Sequence, residues 1–458
     1  LIVTDLLAAR ALFGLSLAFH ILFAAVGVAM PLFMVLAEAR ALRTGSAVHR
    51  DLARRWAKGT AILFAVGAVS GTVISFELGL LWPRFMQFAG PIIGMPFSLE
   101  GFAFFAEAIF LGIYLYGWGR VSPRLHLAAG AVVAVSGAAS AFFVTLANAW
   151  MNAPAGFVLD AAGKAQHAVD VRPLTAMFPP GWAHEVLHVL LSSYVATAFA
   201  VAGIHAWYLL RRRDLEFHAA ALRIVMGVGA VAMILQLFSG DLSARQVATS
   251  QPAKLAALEG QFRTERGAPL RIGGLPDAEA GETRWALEIP GGLSFLAFHD
   301  FAAEVKGLDA FPRQDWPPVE KVHLSFQVMV GLGGLLALAA LAWLATRLRR
   351  REPGPWLLRG LVVAAPAGFL ALEAGWLVTE WGRQPFTIRG VMRTADAVTP
   401  VGHLAVPFVA FGLLYLFLGF MVVVLLGRQI AHGPREPRTA HGEDAGADGS
   451  PGSPEARP

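Results

Sequence analysis

The chain has 458 residues, 56% of them hydrophobic and only 15% charged, with a mean hydropathy of +0.57. Soluble globular domains carry about 25% charged residues, so an ordinary soluble fold is excluded; the net charge of +5 sits in short basic clusters between apolar runs, a topology signal and not a nucleic-acid-binding face. Cysteine is absent, which removes thiolate-ligated iron–sulfur clusters, covalently attached c-type haem and any disulfide framework.

Apolar periodic runs fall at 12–36, 57–80, 93–117, 126–150, 184–210, 219–240, 323–346, 357–381 and 399–427. Each approaches or exceeds the roughly 18 to 20 residues that cross a bilayer as helix. They predict an all-α polytopic membrane protein with nine transmembrane helices. The opening run is too long for a signal-peptide core and has no obvious small-residue cleavage site, so it is expected to span. The loops alternate in charge. The first carries Arg40, Arg43, Arg50, Arg54, Arg55 and Lys58, the third Arg120 and Arg124, the fifth Arg211, Arg212 and Arg213, and the seventh Arg347, Arg349, Arg350 and Arg351. The second offers little beyond Arg84, and the fourth only Lys164 and Arg172. The positive-inside rule puts the basic loops in the cytoplasm of a bacterial inner (plasma) membrane protein, with a periplasmic N-terminus and a cytoplasmic C-terminus. The eighth loop departs from the pattern: Arg383, Arg389 and Arg393 call there for an anionic partner such as a propionate or a lipid phosphate.

The expected organisation is helices one to six over 1–240, a polar outer lobe over 241–322, helices seven to nine over 323–430 and a disordered cytoplasmic tail over 431–458. The lobe holds nine Lys/Arg against twelve Asp/Glu, with Gly/Pro punctuation. No internal repeat suggests an inverted-repeat transporter.

Ionisable side chains at membrane depth are costly and are functional candidates by default. They are His20, Glu77, Glu100, Glu107, the His184, Glu185 and His188 of HEVLH, and Glu373, with Met329 as a soft ligand. The bland alternatives are helix-packing hydrogen bonds and, for Met329, core filling. By helix rise His188 and Met329 lie about 6–10 Å below the outer edge, with His20 and Glu373 about 12 Å down. Four ligand atoms thus gather in the outer half of the bilayer, and histidine with methionine is a recognised axial pair for low-spin haem. Glu100 and Glu107, two turns apart, share one helix face about 10 Å apart. They read as a proton relay or haem-proximal pair, or as packing partners of buried arginines.

HEVLH also fits the zinc-protease helix, in which histidines at i and i+4 hold the metal. A catalytic zinc needs a third protein ligand. Membrane-embedded proteases resembling the site-2 type take an aspartate from a later helix, and here Asp396 and Asp241 stand at expected helix ends in the wrong surroundings. An intramembrane protease is the weakest reading, behind a haem-free transporter or structural subunit.

Beyond the individual residues, the chain resembles subunit I of the cytochrome bd-type quinol oxidases from about residue 5 to 430. The resemblance rests on AFHILF with His20, GPIIGMPFSLEGFAFFAEAIFLGIYLYGWGR with Glu100 and Glu107, ANAWM, HVLLSSYV with His188, FQVMV with Met329 and EAGWLVTEWGRQPF with Glu373. FELGLLWPRF makes it more like the cyanide-insensitive branch. The resemblance implies that His188 and Met329 bind the iron of a low-spin haem b, and that His20 and Glu373 bind two high-spin haems. One of these is a haem b and the other a haem d or a further haem b. It implies that Glu100 lies beside the dihaem site and Glu107 on the proton route. It implies that Lys254 and Glu259 of QPAKLAALEG serve quinol oxidation, and that Arg383 neutralises propionates. It implies a terminal oxidase that oxidises ubiquinol outside and reduces O2 to water with cytoplasmic protons, building proton motive force without pumping. The partners would be subunit II, a small third subunit and the lipid bilayer. Two positions depart from the family pattern: Gln327 stands where an arginine is usual, and Phe386 where GRQPW has tryptophan.

Overall fold

The computed structural model describes residues 5–159, 168–399 and 402–431. Lys164 and the tail beyond residue 431 lie outside these. Among the described residues nine helices are long and apolar enough to cross a membrane: Asp5–Thr44, Ala47–Leu81, Pro83–Tyr116, Pro123–Asn152, Trp182–Leu210, Leu215–Ser250, Val319–Leu348, Pro355–Arg383 and Ala405–Ala431. They are called the first to ninth spans below.

Local chemistry sets their ends. Ser46 caps the second span by accepting from the His49 N–H at 3.4 Å, and Ser122 caps the fourth by accepting from Leu125 N–H at 3.3 Å, with Pro123 in its first turn. The eighth span is two helices, Pro355–Ala364 and Ala367–Arg383, because Pro366 has no N–H to continue the ladder.

Consecutive spans pair from the first to the eighth, and the first span lies at the centre, touching the second, fourth, fifth, sixth, eighth and ninth. Lipid is as apolar as leucine, so helices in a bilayer associate through close packing and polar contacts. Small residues supply the close approaches here: Gly229 lies against Ala198, Gly368 against Ala196 and Gly203 against Ala365. Polar bonds add to them. Thr197 Oγ1 donates to Ala25 O at 3.2 Å, joining the fifth span to the first. Ser16 donates to Glu77 at 2.7 Å and accepts from Tyr415 at 2.8 Å, joining the first, second and ninth spans. Glu77 thus makes a packing bond with one oxygen, while its other oxygen is buried without a partner among the described residues.

The sixth span runs to Ser250, ten residues past the expected end at 240, so the lobe begins at Gln251. The i,i+4 pair Asp241–Arg245, 2.5 Å long, carries the helix past the apolar run, and Asp241 is a helix-interior residue. The lobe consists of the helices Pro252–Glu259 and Gly292–Phe298 and three two-stranded antiparallel pairs. Its core of Ala256, Ala257, Leu258, Phe262 and Leu308 continues into Val319 and Val322 of the seventh span and Val378 of the eighth.

Candidate functional site

A cavity of about 1010 Å³ opens between the fifth, sixth, seventh and eighth spans under the lobe. His188 lines it from the fifth span and Met329 from the seventh, together with Lys254 and Glu259 of the lobe. His184 and His188 stand one turn apart and meet serines one turn apart on the sixth span. His184 Nδ1 is 3.1 Å from Ser243 Oγ, and His188 Nδ1 is 2.9 Å from Ser239 Oγ. Fixing Nδ1 orients the His188 ring and directs Nε2, which is 3.1 Å from Gln236 Nε2, toward the cavity. Gly375 of the eighth span makes room for Met329: a Cβ there would stand 3.1 Å from the Met329 sulfur.

His20 and Glu373 are next in sequence to residues of a second contact. Ile21, Ala25, Ala196, Phe369, Leu372 and Trp376 meet where the first, fifth and eighth spans cross, and His20 and Glu373 flank that contact in sequence. His20 Nδ1 lies 3.0 Å from Ser70 Oγ, and Gly71 leaves space for the ring, since a Cβ there would be 3.0 Å from His20 Cε1. Glu373 keeps a buried oxygen without a partner among the described residues. On the third span Glu100 accepts from Ser140 Oγ at 3.0 Å, while the buried Glu107 fits between Gly27 and Gly137. Neither glutamate has an arginine partner among the described residues, and the hydrogen bond that Glu100 makes is to the fourth span.

Glu185 of HEVLH lines the same cavity, and its charge acts on Lys254 together with those of Glu380 and Arg383. Among the described residues no group of three metal-binding side chains forms. Lys254 is buried against Gly382, and burial pulls its ammonium down to about 8 against the opposing pull of Glu185. Glu259 is buried too, which pushes its carboxyl up to about 7 with Arg271 opposing. Arg383 bonds Glu380 at 2.5 Å, yet its Nε and Nη1 have no partner among the described residues.

The other arginines of the eighth loop find partners within the chain, and only for Arg393 is that partner an anion. Arg389 donates to Ser250 O at 2.6 Å, and Arg393 pairs with Asp315. Sequence reasoning also missed His323, whose ring nitrogens lie 2.7 Å from Leu258 O and 3.0 Å from Gly273 O. It missed the pairs Glu38–His126 and His205–His218 near the basic loops, at 2.7 and 2.8 Å. Glu38 fell beyond the expected end of the first run, and His126, His205 and His218 sat at run edges.

The family model for cytochrome bd terminal oxidase subunit I matches residues 8–434. The chain belongs to this family. It is 40% identical over 428 residues to the provisionally named cytochrome bd menaquinol oxidase subunit I of Bacillus subtilis (strain 168), covering 92% of this chain and 96% of that one. It is 32% identical over 449 residues to the cytochrome bd ubiquinol oxidase subunit 1 of the same organism, covering 94% of each. The solved bd oxidase from Geobacillus thermodenitrificans superposes with a TM-score of 0.88 at 40% identity, covering 94% of this chain and 99% of that chain.

Family membership makes the chain the subunit of a terminal oxidase, a haem-containing quinol:oxygen oxidoreductase of the inner-membrane type acting within a multi-subunit complex. The bd subunit I bundle of nine spans is the fold observed. The site residues fit a haem. Oriented imidazole and thioether groups line an apolar cavity, and buried atoms of Arg383, Glu373 and Gln236 lack partners among the described residues, as groups awaiting an anion, an iron or a donor do.

Proposed function

We propose that His188 and Met329 are the axial ligands of a low-spin haem b, and that His20 and Glu373 hold two high-spin haems, one a haem b and the other a haem d or b. When bound, these haems supply one-electron carriers between a two-electron donor and O2. The observation that carries the reading is one cavity shared by His188, Met329, Lys254 and Glu259, so that the ligands and the quinol-handling pair face the same space.

Glu259 takes the proton that ubiquinol or menaquinol releases. Burial holds its carboxyl at about 7, where it can accept and return a proton near neutral pH. Lys254 orients the quinol oxygen. The unpartnered donors of Arg383 receive haem propionate. Glu107 and Glu100 pass protons toward the site of oxygen reduction. The basic loops lie in the cytoplasm and the lobe in the periplasm, so protons are released on one side and consumed from the other, and charge is separated without a pump. Subunit II, and in some assemblies a small third subunit, would cover the exposed outer faces of the second, third and ninth spans, where Phe102, Phe105 and Leu416 are exposed.

The test is a reduced-minus-oxidised spectrum with pyridine-haem extraction on the purified complex, then on His188→Ala and Met329→Leu. The low-spin signal is expected to vanish in both variants while high-spin haem stays. Unchanged ferrous spectra in both would refute the ligand pair.

A further inference from the structure

We infer that Glu38, His126 and Tyr114 form the station at which protons from the basic-loop side are loaded onto the Glu107–Glu100 relay. The inference rests on the relay reading above and supplies its source.

The third span carries Glu100, Glu107 and Tyr114 at seven-residue intervals, hence on one face, each step about 10 Å along the axis. The fourth span answers with Ser140, Gly137, Gly130 and His126. Ser140 donates to Glu100 at 3.0 Å. A Cβ at Gly137 would lie 3.3 Å from Glu107 Oε1, and one at Gly130 would lie 2.7 Å from the Tyr114 ring. Glycine is therefore required where the polar side chains cross between helices.

At the inner end of this column His126 Nδ1 is 2.7 Å from Glu38 Oε1, and its Nε2 is 2.9 Å from the Tyr114 carbonyl oxygen. Both partners of the pair are 3% exposed. A clamp that only joined the first, third and fourth spans would satisfy its polar atoms. Here the Tyr114 hydroxyl and Glu38 Oε2 are buried and have only each other: the Glu38 carboxyl acts on that hydroxyl as a charge and as a side-chain hydrogen-bond partner, but no fully formed bond holds either atom among the described residues. Trp118 and Arg54 lie in turn beyond the pair. The Trp118 ring is 4.1 Å from His126, and the guanidinium of the exposed Arg54 is 4.8 Å over Trp118.

The chemistry needs no net change at the tyrosine. The Glu38–His126 pair takes a proton from water at the basic-loop end. Tyr114 then accepts one proton on its oxygen and gives up its own. Helical side chains tilt toward the helix N-terminus, which on the third span is the direction of Glu107. Leu111, buried between the two, makes that interval the controlled step.

The experiment uses the whole oxidase complex in proteoliposomes, with inner-side proton uptake followed by a pH dye during reaction with oxygen. The wild type comes first: absence of haem and of quinol-driven oxygen consumption would overturn the functional reading and not this one. Given an active wild type, Glu38→Gln and Tyr114→Phe are expected to keep full haem and normal reduction by quinol. Proton uptake should slow about tenfold or more, with a raised solvent deuterium isotope effect. Combining either with Glu107→Gln should be no slower than Glu107→Gln alone, because all three lie on one path. Tyr114→Phe keeps the ring against Gly130, so it decides the matter if Glu38→Gln does not assemble. Wild-type uptake and isotope effect in a fully haem-loaded Tyr114→Phe complex overturn the inference.

Discussion

Lys254 stands in the first turn and Glu259 at the last position of one eight-residue helix, and burial moves them in opposite directions: the carboxyl up to about 7, the ammonium down to about 8. A base must be deprotonated to accept the quinol proton, so kcat/KM for quinol is expected to rise as pH climbs through about 7. If Lys254 orients the ring as a cation, the rate falls again above about 8. Glu259→Gln should abolish the rising limb. A flat profile for the wild type across these values, measured as initial oxygen consumption at low quinol, would count against both assignments. Gln327 belongs at this scale as well. It donates to Arg271 O at 3.0 Å and accepts from Gly273 N–H at 3.0 Å, so the position where the family pattern has a cation serves here to tie the lobe down. Arg271 lines the same cavity.

At the scale of the element, spans were legible because a long apolar run reports burial in lipid whatever its periodicity. Their ends were not, because a helix does not stop where the hydrocarbon does. The sixth span continues through Asp241, Ser243 and Arg245, and it is this polar turn that meets His184. The first span likewise continues to Thr44 and brings Glu38 to His126. His20, His188, Glu100, Glu107 and Glu373 could be picked out because lipid rejects such groups, whereas the glycines that make room for ligands gave no signal of their own. Gly375 tests that point. Valine there would press branched carbons on the Met329 sulfur from a Cβ only 3.1 Å away, at an overpacking cost of about 1–3 kcal/mol. Gly375→Val is expected to lose most of the low-spin haem while high-spin haem remains. Retention of both at wild-type ratio in the pyridine-haem assay would show that Met329 has another way out.

Over the whole molecule, the bundle and the lobe make one site, since the bundle supplies the His188 and Met329 candidates and the lobe supplies Lys254 and Glu259 to a single cavity. That junction was the least legible part, because it is held by side chains bonding to backbone oxygens far away in sequence, which no local pattern encodes. His323 reaches Leu258 O and Gly273 O, and Arg389 reaches Ser250 O. His323→Leu keeps an apolar side chain in the seventh span but removes the ring nitrogens that lie against the Leu258 and Gly273 carbonyls, at about 1–3 kcal/mol for the donor lost. The cost falls on the strand and helix that carry Arg271 and Glu259, and hence on quinol binding. A loss near the lower bound corresponds to about tenfold in affinity. The expected outcome is a quinol KM raised about tenfold with haem content and reduced spectra unchanged, together with faster proteolysis between Gln251 and Pro318. An unaltered KM with an equally resistant lobe would mean that Gln327 and the Arg393–Asp315 pair hold the junction without His323.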